Sequence, residues 1–405
     1  MRVPVKHVSD AALVAVALLI SVHAALAAPM AGDYPGDGGP ALAALLHGNL
    51  QAFASATPAM GDLSLLIRAP FAALAYVGRP TELEIYRWGV LPCALSVAVL
   101  ALWLAGIARA RGTGVVGQWA IVLVALVNPL VSSAIALGHP EELMTSSLCV
   151  GALIVALDGR IVSSAVLLGL ALACKQWAVV AVLPVLFALE RGRVRALLGA
   201  LATAAIVTVP EVVGAPMSYL NNQLFLARGE WRVPSTSSWW WPIAPTRVAH
   251  VLRDGNTVAL TYRRLPAIAD SLHSLIVAVD VLVVAVVARA RRLPLRRDDA
   301  FALMAIVMLL RCTLDTETMP YFHTALLLDL LAWDALAGER LPLRALAGAA
   351  VSYVLFERLS AGPIEASSLA YAAATVVALL LFVRTLVARA SSPVRPLPRR
   401  MAASA

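Results

Sequence analysis

The sequence predicts an all-α, polytopic membrane protein, and three observations carry that prediction. The chain has 405 residues, of which 60% are hydrophobic and only 14% charged. Its mean hydropathy is +0.82, more apolar surface than a soluble core needs. Long uncharged runs recur from one end to the other, and they are continuous rather than alternating, which excludes a transmembrane β-barrel. The hydropathy pattern reads as about twelve transmembrane helices.

Taken in order, the runs cover 10–28, 89–108, 118–136, 143–157, 161–174, 176–189, 196–213, 270–288, 300–313, 320–337, 343–359 and 366–388. The first follows "MRVPVKH" and precedes Ala25-Leu26-Ala27, a pattern shared with cleavable leaders. The length of the run and Pro29 beyond it favour an uncleaved anchor. With both termini cytoplasmic, the inner connections are Arg109–Arg111, Asp158–Arg160, "ERGRVR", "ARARRLPLRRDD", "GERLPLR" and the tail "RASSPVRPLPRR". Counted this way, 20 of the 32 basic residues lie inside and 12 outside. No other phase of the alternation fits the positive-inside rule as well.

The same asymmetry accounts for the net charge of +8. It needs no nucleic-acid partner; the expected surroundings are a lipid bilayer, with the chain a multi-pass protein of the cell membrane. The cysteines Cys93, Cys149, Cys174 and Cys312 are scattered through apolar segments, without metal-ligand spacing or a disulfide framework. The chain reads as a single integral-membrane domain over 1–405. Its exterior carries a first long loop, 29–88, with an interfacial helix over "PALAALLHGNLQAF". A second large exterior segment covers 214–269, and a short loop "RCTLDTETMPYFH" covers 311–323.

Chemistry-bearing residues collect on that face. Asp33 and Asp37 lie in "AGDYPGDGGP", directly after the first apolar run. Each alone is an ordinary turn residue. Lys175, in "GLALACKQWAVVAVLP", sits between two apolar segments that are short for full spans. An ionisable group there is a functional candidate, with snorkelling to the headgroups as the alternative. The tight turn "GHPEEL" offers His139, Glu141 and Glu142, suited to an acceptor hydroxyl or a divalent cation. Arg311 and His323, near Asp315, Glu317 and Tyr321, suit a phosphate. Trp239-Trp240-Trp241 suits an interfacial belt, with Trp240 stacking on a sugar as the sharper reading.

The order of these features resembles the GT-C superfamily of integral-membrane glycosyltransferases. It runs from an apolar anchor through an Asp-bearing exterior loop with "DGGPALAALLHGNLQAF" to "GDLSLLIRAPFAAL", a polar exterior turn and "SSAVLLGLALACKQWAVVAVLP". The nearest resemblance is to polyprenol-phosphate-mannose-dependent mannosyltransferases of cell-envelope biosynthesis, and it covers residues 10–190. It implies an inverting transfer of a sugar, mannose, from a polyprenyl-phosphate donor to a glycolipid or glycan acceptor at the exterior face. Asp37, ahead of Asp33, takes the place of the family aspartate as base. Gly38-Gly39-Pro40 departs from the family pattern there and leaves the two open. Lys175, Arg311 and His323 are the phosphate-side candidates by chemistry and side rather than by motif. No cofactor is required by this reading, although a divalent cation fits it. A transporter or flippase of a lipid-linked sugar is the alternative from another class, and a scaffold subunit a third. Against the transporter, no matched pair of broken segments recurs in two halves.

Overall fold

A computed structural model of the chain describes residues 5–388 apart from 31, 57, 59, 229–231, 254–255 and 291–292. The helices are α1 (Val5–Leu26), α2 (Gly38–Leu46), α3 (Leu50–Ser55), α4 (Asp62–Ala72), α5 (Glu82–Ala110), α6 (Val115–Leu126), α7 (Pro129–Ala136), α8 (Glu141–Leu157) and α9 (Ile161–Cys174). They continue with α10 (Val182–Ala188), α11 (Arg193–Gly214), α12 (Pro216–Arg228), α13 (Leu272–Ala290), α14 (Arg297–Leu314), α15 (Thr324–Ala337), α16 (Leu343–Tyr353) and α17 (Ile364–Ala388). The twelve apolar runs are largely helical, with 118–136 broken at Val127-Asn128 between α6 and α7. Among the described residues, five helical stretches are long and apolar enough to cross a membrane, fewer than the twelve spans expected: 82–110, 115–136, 193–214, 272–290 and 364–388. Shorter apolar helices cover Asp10–Leu26, Ile161–Cys174 and Gln176–Ala188.

The expectation of an all-α chain needs one correction. An antiparallel hairpin, β1 (Thr246–Arg253) and β2 (Asn256–Arg263), pairs Thr246 with Arg263 through Arg253 with Asn256. It lies in the second exterior segment. β-branched residues on both sides of the turn-prone Asp254-Gly255, Thr246, Val248 and Val251 before it and Thr257, Val258 and Thr261 after it, favour a strand pair over a helix there. In the first exterior segment, the stretch read as one interfacial helix is two short ones, α2 and α3, with His47, Gly48 and Asn49 between them. Asn49 caps α3 by accepting from the Ala52 amide at 3.0 Å.

Local chemistry fixes the boundaries that matter for the site. Thr81 and Glu84 form a reciprocal capping box that starts α5. Asn128 accepts from the amides of Leu130 and Val131 and so starts α7 at Pro129. The centre of the bundle is built from α5, α8, α14 and α15, whose faces are buried against one another. By contrast, α11, α13 and α17 expose most of their apolar residues, as helices facing lipid do.

Candidate active site

Three glycines and several backbone contacts bring distant segments together at one end of the bundle. Gly32 has φ +69°, and a Cβ there would stand 2.2 Å from the Leu137 carbonyl oxygen. Only glycine lets the loop after α1 lie against the end of α7. The loop then closes on itself, with the Asp37 amide donating to the Asp33 carbonyl at 2.9 Å. Gly61 plays the same part at the start of α4. Its amide donates to the Cys174 carbonyl at 2.9 Å, beside Lys175. Gly138, with φ +90°, turns the chain from α7 to α8 and presents His139.

The second and third exterior segments join the same region. Asn222 donates to the Pro58 carbonyl at 3.0 Å. The Ser235 amide donates to the Thr316 carbonyl at 2.7 Å, and the Ser238 hydroxyl to the Asp315 carbonyl at 2.8 Å. His273, at the start of α13, reaches the Leu226 carbonyl at 2.6 Å and the Asp315 carboxylate at 3.4 Å.

These contacts enclose a cavity of about 1040 Å³. Asp33, Asp37, His139, Glu142, Lys175 and Arg311 all line it, so six of the nine residues selected from the sequence converge. Lys175 Nζ lies 2.9 Å from Glu141 Oε1 and 3.9 Å from Glu142 Oε1. It also feels the charge of Asp37. Arg311 Nη2 is 3.5 Å from the same Glu142 oxygen. Its guanidinium lies between two rings, 4.1 Å from the Trp177 centroid and 4.2 Å from that of Phe322. That sandwich, with the carboxylate at its edge, fixes a planar cation in one orientation.

Glu141 is fully buried beneath the cavity and does not line it. Burial alone raises a carboxyl pKa. Lys175, a hydrogen bond from His139 Nδ1 at 3.0 Å and Arg68 reverse that and hold Glu141 ionised, well below the usual range. The same pair acts on His139. Burial would lower its pKa, and the contact with Glu141 raises it. His139 Nε2 in turn faces Asp33 Oδ2 at 3.5 Å. The two aspartates therefore differ. The Asp33 side chain is 78% exposed, with His139 at its edge. Asp37 is half-buried and faces Lys175.

His323 and Trp240 do not line the cavity. His323 is buried behind it, with Nε2 3.0 Å from the Tyr371 hydroxyl and Nδ1 3.1 Å from the Pro320 carbonyl. The Trp240 indole donates to the Leu314 carbonyl at 2.6 Å. Trp239 donates to the Thr375 hydroxyl at 2.8 Å, so these indoles tie the second exterior segment to α14 and α17.

Sequence reading passed over Arg68, Trp177 and His273, and did not place Asp315 and Glu317 in the site. Arg68 is fully buried, with Nη1 4.0 Å from Glu141 Oε2 and its guanidinium 5.4 Å from the centre of the Tyr34 ring. In "LSLLIRAPF" nothing local marks it, and only tertiary packing shows its burial. Asp315 and Glu317 both line the cavity. Burial, and then the charges of Asp315 and Asp33, push the Glu317 carboxyl up to about 7. Among the described residues no group of three or more His, Cys, Asp or Glu side chains has a metal-holding arrangement.

Apolar helices closing over a polar, ionisable cavity define a membrane protein with room for a sizeable polar ligand. The chain belongs to glycosyltransferase family 87, which its residues 63–314 match. The GT-C membrane glycosyltransferase expected from the sequence is thereby met. The matched stretch contains His139, Glu142, Lys175 and Arg311, whereas Asp33, Asp37 and Glu317 lie outside it. No curated protein matches the chain. Among solved structures, the crystal structure of ArnT from Cupriavidus metallidurans bound to undecaprenyl phosphate is similar at 16% identity. That match covers 94% of this chain and 77% of ArnT, with a TM-score of 0.48. Family membership makes the protein a transferase and displaces the transporter and scaffold readings.

Proposed function

We propose that this glycosyltransferase moves a sugar, mannose by the motif resemblance, from a polyprenyl-phosphate donor to a hydroxyl of a glycolipid or glycan acceptor. The reaction runs at the exterior membrane face, with both termini cytoplasmic. The acceptor oxygen attacks the anomeric carbon and forms the new glycosidic bond. The bond from that carbon to the phosphate oxygen breaks, and the polyprenyl phosphate leaves with the electron pair. The configuration inverts. Asp37 takes the acceptor proton. Lys175 and Arg311 stabilise the charge that gathers on the departing phosphate.

The observation that carries this reading is that Asp37, Lys175 and Arg311 line one cavity. A base and a leaving-group stabiliser must flank one reacting carbon, which groups sharing a cavity are able to do. The buried carboxylates Glu141 and Glu142 support it by holding both cations in fixed positions before the donor arrives. Asp37 is preferred to Asp33 because it is half-buried with Lys175 close enough to feel its charge, whereas Asp33 is largely solvated. His139 and Glu142 are then left to orient the acceptor or the sugar.

The test is transfer of labelled sugar in membranes, normalised to folded protein. Asp37→Asn keeps the shape and loses the ability to accept a proton. A positioned general base is worth roughly 10²–10⁴ in rate, so the expected loss is of that size, with donor binding retained. Asp33→Asn is expected to do markedly less. Wild-type transfer by both single variants and by the double variant would sink the carboxylate mechanism.

A further inference from the structure

A second cavity, of about 400 Å³, opens at the other end of the bundle and plays no part in the chemistry above. Its walls are Trp333 at the end of α15, Arg344 at the start of α16, and Leu381, Arg384, Thr385 and Ala388 in the last turns of α17. The N-terminal end of α15 adjoins the first cavity through Tyr321 and Phe322. The length of that helix therefore separates the two.

Arg344 is held in place. Its Nη1 is 2.5 Å from the buried Asp334 carboxylate, and its guanidinium is 4.8 Å from the centre of the Trp333 ring. The Ala345 amide also donates to Asp334, at 3.0 Å. Arg384 is different. It is exposed and takes part in no hydrogen bond or ion pair among the described residues. The cavity thus presents one guanidinium paired with the buried Asp334 and one that makes no ion pair among the described residues, while the other nearby carboxylate, Asp298, is taken up by Trp333 Nε1 at 2.8 Å and by Arg297, so the open charge of the groove is positive. The surrounding face is basic as well. Arg111 and Arg297 both donate to the Leu336 carbonyl at the end of α15.

The remaining wall says which anion. Below Arg384, α17 exposes a lane of Val377, Leu380 and Leu381, each between 55% and 63% accessible. A soluble anion makes no use of such a lane, whereas acyl chains lie along it while the headgroup stays at the surface.

We propose that this groove binds the phosphodiester headgroup of an anionic phospholipid from the leaflet opposite the sugar-transfer site. The phosphate sits between Arg344 and Arg384, the headgroup lies over Trp333, and the acyl chains follow α17. This proposal does not depend on the identity of the sugar donor or acceptor.

The experiment uses the full chain in detergent, with phosphatidylglycerol, phosphatidylcholine and inorganic phosphate as separate probes. Native mass spectrometry reads bound lipid, and thermal melting reads stabilisation. Wild type is expected to retain phosphatidylglycerol over phosphatidylcholine. Arg384→Gln is expected to weaken phosphatidylglycerol binding about fivefold, as suits one basic group at a membrane surface. Its melting temperature without added lipid should match wild type, because Arg384 is exposed and makes no hydrogen bond or ion pair among the described residues. Arg384→Lys should recover part of the binding. Equal binding of phosphatidylglycerol by wild type and Arg384→Gln would overturn the proposal. So would stabilisation by inorganic phosphate, lost in Arg384→Gln, with no preference for phosphatidylglycerol, because the groove would then be a site for a soluble anion.

Discussion

Lys175→Met removes an ammonium while keeping most of the apolar stem that carries it. Lys175 Nζ stands 2.9 Å from Glu141 Oε1, and the two side chains are 13% and 0% exposed. Two unit charges at that distance attract by about 6 kcal/mol at an effective dielectric near 20. Part of this is regained when the lysine no longer has to be desolvated, and His139 and Arg68 still face Glu141. Removing one partner of a buried pair typically costs about 3–5 kcal/mol, and the surviving partners place this case at the lower end. The expected outcome is a clear fall in melting temperature of the purified protein, together with loss of sugar transfer. The double variant Lys175→Met with Glu141→Gln separates the two effects. It should recover part of the stability, since the nearest buried carboxylate is gone and Glu142, 3.9 Å from the lysine, keeps Arg311 as its partner, while Arg68 remains without its anion. It should recover no transfer, because the phosphate still lacks its ammonium. Unchanged melting of Lys175→Met would refute the buried-pair argument, and full transfer by the double variant would refute the phosphate role.

Glu317, pushed up to about 7 from 4.5, is a carboxyl that the folded chain keeps protonated through the acid range and only partly ionised near neutrality. The unfolded chain ionises it first as pH rises, so wild-type stability should fall from about pH 5 to pH 8 by this contribution. Glu317→Gln should melt like wild type at the acid end and higher at the alkaline end; a constant difference across that range would disprove the assignment. Gly32→Ala should disturb the Asp33–Asp37 loop and depress transfer, because the added Cβ meets the Leu137 backbone. Gly48 also has positive φ, +67°, but open space around it, so Gly48→Ala should cost only the left-handed strain, about 1–2 kcal/mol, and leave transfer intact. Equal effects of the two would remove the loop-packing argument. All four native cysteines are buried and free, so introduced ones report cleanly: Ser55→Cys and Asp158→Cys should label from opposite sides of the membrane, and labelling from one side would break the proposed topology.

How far the sequence reaches depends on whether a property is local. Helical runs are local, and the twelve read from hydropathy are largely helical, although the Asn128 cap divides 118–136 into α6 and α7. The strand pair is local too, but its only signal is a set of β-branched residues flanking the turn-prone Asp254-Gly255, without the strict alternation that marks a strand. Convergence is not local. Asp33, His139, Lys175 and Arg311 come from four separate stretches, and charge type with the inferred side of the membrane was enough to select them. The same criteria selected His323, whose ring turns to Tyr371 and Phe356 instead. They missed Arg68, whose burial depends on Tyr34, Met60 and Glu141 packing around it. Side chains of one type are alike in sequence, and only packing decides which of them faces the cavity.

The charge inside the main cavity has a consequence for how a donor is taken up. Asp33, Asp37, Glu142, Asp315 and Glu317 line it against the two permanent cations Lys175 and Arg311, with His139 and His273 between them. A phosphate entering that space adds negative charge where carboxylates already outnumber permanent cations. Glu317, titrating about 7, is the group poised to accept a proton as the anion arrives. Binding of the donor and uptake of a proton are then one thermodynamic event, and each strengthens the other by the same factor. Calorimetric heats of donor binding should accordingly vary with the ionisation enthalpy of the buffer near neutrality, and that variation should vanish in Glu317→Gln.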